Sequence, residues 1–327
     1  MYKDIPYFLR DFLSYLKTIK GLSPNTVHEY YYDLRLYLKF MTYRLNLLDF
    51  EEEEIEDIDI RKLKVEDLKG ISIIDLHSYI SYRDNDRDNS TTTRSRKVSS
   101  LRTFYKYLNT VAKTLDENPT LELELPKMKK RNPVYMTFDE SKRLLEVIAQ
   151  EKNAFLRYRD FAIVLLFLTT GIRLSELTSM DTTSLKDLEF TVVGKGNKER
   201  VVYMTEAAKY AIDQYLMVRP DLEEEKALFL SNRYSRMSNR AVQHMLDKYL
   251  AKAGFDTRKY SVHKLRHTAA TLMYREGVDI RTLQKVLGHT SVATTQIYTH
   301  VADDSVKSAI SHNPLNDIKM TVEKSEK

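Results

Sequence analysis

Ile5, Phe8, Leu9, Phe12, Leu16 and Ile19 recur at steps of three and four residues, the spacing that lines one face of an α-helix. Gly21 ends that run. Ser23-Pro24 then opens a second helix, with serine as N-cap and proline at the first helical position, where a missing N–H leaves no bond unmade. Val27, Tyr30, Tyr31, Leu34, Leu38 and Met41 form its apolar positions. Two further helices fit about 71–82 and 91–109. In the latter, Val98, Leu101, Tyr105 and Leu108 share one face and the basic residues fall largely on the other. The pattern predicts a four-helix bundle over 1–114. Pro119, Pro126 and Pro133 then interrupt it, and 115–134 reads as an extended connection.

Beyond that connection the periods mix. Tyr158 to Thr169 is almost continuously apolar and predicts a buried helix; Thr170-Gly171 turns the chain, and Ile172 to Leu177 starts another helix. Phe190 to Val193 and Val201 to Met204 have strand composition, with Gly194-Lys195-Gly196-Asn197 as the hairpin turn between them. Helices follow at about 205–218, 239–252, 262–276, 279–287 and 291–299. Ser261 is expected to cap one of them, and Gly277 and Gly288 to stop two. The expected fold is mainly α with a small antiparallel β-sheet: an N-terminal bundle, a linker at 115–134, and a second domain over 135–327.

Composition narrows the classes. A chain of 327 residues suggests roughly two domains, and the lack of cysteine excludes a disulfide scaffold, a thiolate metal site and a cysteine nucleophile together. No apolar run approaches the roughly 20 residues of a membrane span, and Met1 to Arg10 lacks the apolar segment of a signal peptide, so a cytoplasmic protein is expected. The net charge of +5 permits nucleic-acid binding without demanding it. Its distribution says more. Asp49 to Asp59 holds acids and no base, as a solvated loop that also repels DNA would. Ser90 to Lys113 holds Arg94, Arg96, Lys97, Arg102, Lys106 and Lys113 and no acid, and the connection adds Lys127, Lys129, Lys130 and Arg131. Such a stripe tracks phosphates or is a solvated helix face; charge alone leaves the two readings even.

Common catalytic motifs are missing. There is no glycine-rich loop ending in Lys-Ser/Thr. His263 and His267 stand four apart like half of a zinc pair, but Arg266 lies between them and no glutamate takes the general-base position, so no metal is expected. What remains is a scatter of cationic and imidazole groups at awkward places: Arg173 after a glycine turn, Lys195 at a hairpin tip, His263 and Arg266 on one helix face, His289 after a helix stop, and Tyr298. Taken singly, each has a structural explanation, such as Arg173 paired with Glu176 on a helix surface.

Together they form an ordered set: Thr169-Thr170-Gly171-Ile172-Arg173-Leu174-Ser175-Glu176-Leu177, then Gly194-Lys195-Gly196-Asn197-Lys198-Glu199-Arg200, then His263-Lys264-Leu265-Arg266-His267-Thr268, then Leu287-Gly288-His289 through Tyr298-Thr299-His300. This set resembles the tyrosine recombinase (phage integrase) family, most of all its Xer-type site-specific recombinases, over essentially the whole chain. The resemblance implies a SAM-like core-binding domain at 1–114 and a catalytic domain at 135–327 whose tail docks on a protomer. It also implies DNA strand exchange through a 3′-phosphotyrosyl intermediate.

By that resemblance Tyr298 is the nucleophile, His263 its general base and Lys195 the general acid for the leaving 5′ oxygen. Arg173, Arg266 and His289 meet the phosphate charge, and Glu176 and His267 orient the arginines or pack the site. The residue types suit the task, because phosphoryl transfer needs positioning and charge stabilisation, and arginine forks match non-bridging oxygens. A tyrosine with an ordinary pKa of about 10 needs such a base or cation field. No cofactor, metal or ATP is implied. The implied partners are double-stranded DNA with an inverted-repeat site and a homo- or hetero-tetramer on two such sites, with a second Xer-type recombinase as one option. Chromosome-dimer resolution at the nucleoid is the implied role. The alternatives are an integrase or transposase of a mobile element and a non-catalytic DNA-binding protein on the same fold. A bundle beginning almost at Met1 favours the first over the second, and the presence of Arg173, Arg266 and Tyr298 opposes the third. In the tail, Val301, Val306, Ile310, Leu315 and Ile318 suit docking on a neighbour or on the same domain.

Overall fold

A computed structural model describes residues 2–51, 54–82, 91–124, 134–193, 199–288 and Thr295. The chain separates into two compact units, Met1–Lys130 and Arg131–Lys327.

The N-terminal unit is built on α1 (Tyr7–Thr18), α2 (Pro24–Leu45), α3 (Ile73–Ser81) and α4 (Thr91–Lys106), the last running on into one π-helical turn at Tyr107–Val111. Ser23 Oγ accepts the Thr26 N–H at 3.3 Å, with Pro24 in the first turn, so the predicted α2 start is realised. Leu9, Phe12, Leu34, Leu38, Leu101 and Phe104 meet in the core, where the Phe12 and Phe104 rings pack edge to face at 5.3 Å.

Two expectations need correction. The acidic run at 49–59 is not merely a solvated loop. Ile55 and Ile58 within it, and Ile60 just after it, are buried, and the Lys39 ammonium donates to the Glu56 carbonyl. The acids among the described residues, Asp49, Glu51, Glu54, Glu56, Asp57 and Asp59, are exposed on a strap whose isoleucines are in the core. The extended connection expected over 115–134 is, up to residue 124, part of the N-terminal unit. Leu115, Thr120 and Leu123 are buried, Asn109 Nδ2 donates to the Leu115 and Asp116 carbonyls at 3.0 Å, and Arg102 Nη2 donates to the Leu123 carbonyl. Proline stops a helix but does not stop a turn from packing. Lys127, Lys129, Lys130 and Arg131 lie outside the described residues.

The C-terminal unit comprises α5 (Phe138–Ala149), α6 (Ala154–Thr170), α7 (Leu174–Thr178), β1 (Leu185–Lys186), β2 (Glu189–Val193), β3 (Glu199–Tyr203), α8 (Glu206–Val218), α9 (Asn239–Lys252), α10 (Val262–Arg275) and α11 (Ile280–Leu287). The sheet has the order β1-β2-β3, both pairs antiparallel, with Phe190 opposite Val202 and Val192 opposite Arg200. α6 is the central element, packed against α5, α8 and α10, and Ala162, Ile163, Val164, Leu166 and Phe167 are all buried, as its apolar run predicts. α5 and β1 have no counterpart in the hydrophobic pattern as read. α5 starts at a reciprocal cap: Glu140 N–H donates to Thr137 Oγ1 at 3.2 Å and Thr137 N–H to Glu140 Oε2 at 2.8 Å. Ser261 stands at the N-cap of α10 on extended backbone, but its side chain accepts no bond from the helix, so the expected serine cap is one of position only. The helix expected at 291–299 and the apolar tail lie outside the described residues, apart from a buried Thr295. Among the described residues, no helix is long and apolar enough to cross a membrane.

If 115–124 belongs to the N-terminal core, Leu123→Ala should destabilise that unit by about 2–5 kcal/mol in urea unfolding. Leu121→Ala, at a side chain 76% exposed, should change it by less than about 0.5 kcal/mol. Equal effects would return the segment to a mere connection.

Candidate active site

The site is assembled around the C-terminal end of α11. Gly288 ends that helix in the left-handed region at φ 60°. The carbonyls of a helix's last turn have no partner within the helix, and the helix dipole makes them a negative end. Three of them are taken up by arginines from elsewhere in the unit. Arg266 of α10, 5% exposed, donates from Nη2 to the Leu287 carbonyl at 2.6 Å and from Nη1 to the Gly171 carbonyl. Arg173, the residue before α7, donates from Nη2 to the Gly288 carbonyl at 2.7 Å. Arg200 of β3 donates from Nη1 to the Val286 carbonyl at 2.7 Å.

Gly171 makes this convergence possible. It ends α6 at φ 60°, and a Cβ there would lie 2.8 Å from Leu287 Cδ2. Both the backbone conformation and the close approach of α11 therefore favour glycine. The turn delivers Arg173 to the start of α7, where Glu176 binds it twice: Oε2 accepts the Arg173 N–H and Oε1 accepts Nη1, each at 2.8 Å. Glu176 is buried and also accepts Arg200 Nη2 at 3.0 Å. Burial pushes its carboxyl up, but the Arg200 bond, the Arg173 N–H, the Arg200 charge and the Arg173 side-chain bond outweigh this and hold it below the ordinary glutamate value.

His263 lies one turn before Arg266 on α10, and its ring packs edge to face on His267 at 4.6 Å. Partial desolvation, then the charges of Arg266 and Lys264, hold its imidazole below the ordinary value. His263 is therefore neutral at pH 7 and can accept a proton. A cleft of about 530 Å³ is lined by Arg173, Arg266, His263, Ser261, Ser175 and Gln243 among others. The structure thus brings together Arg173, Glu176, His263, Arg266 and His267. Lys195, His289 and Tyr298 lie outside the described residues, although the chain on either side is placed: Val193 pairs with Glu199 across the hairpin, and Gly288 precedes His289.

The basic stripe of α4 is less uniform than its charge suggests. Lys97 is buried, its ammonium 5.6 Å from the centre of the Tyr79 ring, because it falls on the same helical face as Leu101, Phe104 and Leu108. It does not stand on an outward wall. Arg96 bridges the buried Asp33 and, at 3.2 Å, Glu29, both on α2. Arg102 is tied to the Leu123 carbonyl, Arg94 is half-buried, and Lys106 is exposed. Sequence reasoning gave Arg200 and Asp33 no role. Arg200 was visible only as the last residue of the hairpin motif. Asp33 was visible as an acid one residue before Leu34 on the apolar face of α2.

Residues 134–305 match the phage integrase family, and residues 9–62 match the phage integrase N-terminal SAM-like domain. The chain belongs to the phage integrase family. Tyrosine recombinase XerC of Caldanaerobacter subterraneus subsp. tengcongensis is 46% identical over 314 residues, spanning 95% of this chain and 88% of that relative. Among solved structures, the XerH site-specific recombinase bound to palindromic difH substrate aligns with a TM-score of 0.68 at 20% identity, over 95% of this chain and 98% of that one. A lambda integrase tetramer bound to a Holliday junction aligns with a TM-score of 0.64 at 16% identity, over 89% and 76%. At those identities the two structures speak to fold. This phage integrase family member is a tyrosine recombinase most similar to the Xer type, an enzyme of site-specific recombination, as its four ordered motifs implied.

Glu176 titrates with a definite sign. Its folded pKa lies below the ordinary value of 4.5, so its contribution to stability is full above that pH and is lost as pH falls through the folded value. Glu176→Gln should cost about 3 kcal/mol at pH 7, because two buried or half-buried guanidiniums lose their counter-charge. In urea unfolding the gap between wild type and variant should shrink below pH 4.5. A gap that stays constant with pH would show that the carboxylate charge is not what holds the cluster.

Proposed function

We propose that the chain cuts and rejoins double-stranded DNA through a 3′-phosphotyrosyl intermediate, with Tyr298 as the nucleophile. The observation that carries this reading is the fixing of Arg173 and Arg266 on backbone carbonyls and Glu176 around one cleft, with His263 at its edge. Guanidiniums held in place before substrate arrives stabilise developing phosphate charge without reorganising. His263, neutral at pH 7, takes the proton from Tyr298 Oη as that oxygen bonds to phosphorus. The bond from phosphorus to the 5′ oxygen breaks, and Lys195 supplies the proton to the leaving oxygen. His289 adds a donor to the same phosphate. The phosphotyrosyl ester conserves the energy of the broken diester. Attack by a 5′ hydroxyl from a second duplex reverses the step and exchanges strands.

Exchange requires two duplexes held together, which supports a tetramer on two inverted-repeat sites. The lambda integrase neighbour caught as a tetramer on a Holliday junction supports the same arrangement. The apolar tail from Val301 to Ile318 docks between protomers in this reading. In the N-terminal unit, the exposed Lys106 and the half-buried Arg94 of α4 contact phosphates, Arg96 and Arg102 contribute from their present partners, and Lys127, Lys129, Lys130 and Arg131 extend the track. The role that best suits a chain 46% identical to a XerC is resolution of chromosome dimers at the nucleoid, in the cytoplasm.

Incubated with nicked host DNA in EDTA without ATP, the wild type should yield a covalent protein–DNA band. Tyr298→Phe should bind the same DNA and yield none. A band persisting in that variant would remove Tyr298 from its role. Replacing Arg94 and Lys106 by glutamine should lower the slope of log affinity against log salt by roughly one unit for each lost phosphate contact. An unchanged slope would make α4 a solvated face only.

A further inference from the structure

We propose that Arg200 is a positioning residue of the recombination reaction, setting Arg173 on the scissile phosphate by clamping Glu176 and the end of α11, the two groups that hold Arg173. The inference rests on the assignment of Arg173 and Arg266 to that phosphate.

The last three carbonyls at the end of α11 are distributed one to an arginine. Val286 accepts Arg200, Leu287 accepts Arg266, and Gly288 accepts Arg173. One helix end therefore sets the positions of three guanidiniums that arrive from β3, α10 and the start of α7. The other end of the Arg200 fork reaches Glu176, with Nη2 at 3.0 Å from Oε2 and Nε at 3.4 Å from Oε1. Glu176 is also the carboxylate that binds Arg173. Arg200 thus holds the two groups, Glu176 and the end of α11, between which the Arg173 guanidinium is suspended.

The cleft separates it from the arginines assigned to substrate, because Arg173 and Arg266 line it and Arg200 does not. The Arg200 side chain is 17% exposed and directed into protein partners, whereas Arg173 is 35% exposed and lines the cleft. Arg200 also lies flat against Gly288. A Cβ there would come within 2.9 Å of Arg200 Cδ and Nε, so the residue preceding His289 is fitted to this guanidinium as well as to its own φ of 60°.

Charge gives the clamp its consequence. A buried carboxylate paired with Arg173 alone would draw that guanidinium inward and neutralise it. Shared between Arg200 and Arg173, the single negative charge orients Arg173 and leaves the cluster with a net positive charge for the phosphate. A lysine at 200 keeps a charge but not the planar fork that spans a carbonyl and a carboxylate.

The test uses full-length Arg200→Lys and Arg200→Gln in single-turnover cleavage of nicked DNA. One substrate carries an ordinary scissile phosphodiester. The other carries a methylphosphonate, in which a methyl group replaces one charged non-bridging oxygen. DNA binding should stay within about 2-fold of wild type, and cleavage of the phosphodiester should fall about 10- to 100-fold in both variants, the range for loss of a group that orients a ligand. On the neutral linkage the ratio of variant to wild type should return towards one, because less charge remains for a well-placed Arg173 to meet. Equal deficits on the two substrates, or no deficit on the phosphodiester, would overturn the proposal. Should Arg200→Gln fail to fold, Arg200→Lys carries the comparison. A wild type that forms no adduct on the phosphodiester would count against the recombinase mechanism itself and not against the clamp.

Discussion

The candidate active site depends on carbonyls left unpaired within one short helix at its end. An α-helix leaves its last C=O groups without partners, and burying them unpaired is unfavourable. Here that need and the need to hold guanidiniums rigid are met by the same bonds. Arg266 and Arg173 dock on the Leu287 and Gly288 carbonyls and thereby acquire fixed planes. The geometry of α6, whose Gly171 lets α11 come within van der Waals reach, follows from the same requirement. The site's donors are thus held by main chain, which does not change rotamer.

Much of this was legible in the sequence, and what was missed was missed for physical reasons. The helices of the bundle showed in three-four periodicity and the buried α6 in its nearly continuous apolar run, and Arg173, Glu176, His263 and Arg266 showed in the order of their motifs. α5 was not seen, although its buried residues Ser141, Leu144 and Ile148 stand at steps of three and four, because only two of the three are apolar. Its capping pair, Thr137 and Glu140, was the available signal. β1 is two residues long, too short for any period. The segment 115–124 was misread because prolines dominate a pattern in which Leu115 and Leu123 are the informative residues. Eight acids hid Ile55 and Ile58 in the same way. Arg200 could not be assigned because one of its partners is a backbone carbonyl 86 residues away. Side-chain motifs say nothing about where a main-chain oxygen will be.

The N-terminal unit shows how a count of charges can mislead. Arg96, half-exposed on α4, is matched to a buried aspartate on α2 that Ser100 also bonds at 3.0 Å, and burial pushes the Asp33 carboxyl up against the pull of Arg96 and Ser100. To reach a phosphate, this guanidinium would have to leave a carboxylate in low-dielectric surroundings or stretch to serve both. The free energy it could bring to DNA is therefore only the difference between two anionic partners, not the full attraction of one. It also arrives already neutralised, so it displaces few of the counterions condensed on the DNA. Two proteins with identical basic helices would then differ in how steeply salt weakens their grip, according to whether an acid such as Asp33 waits beneath.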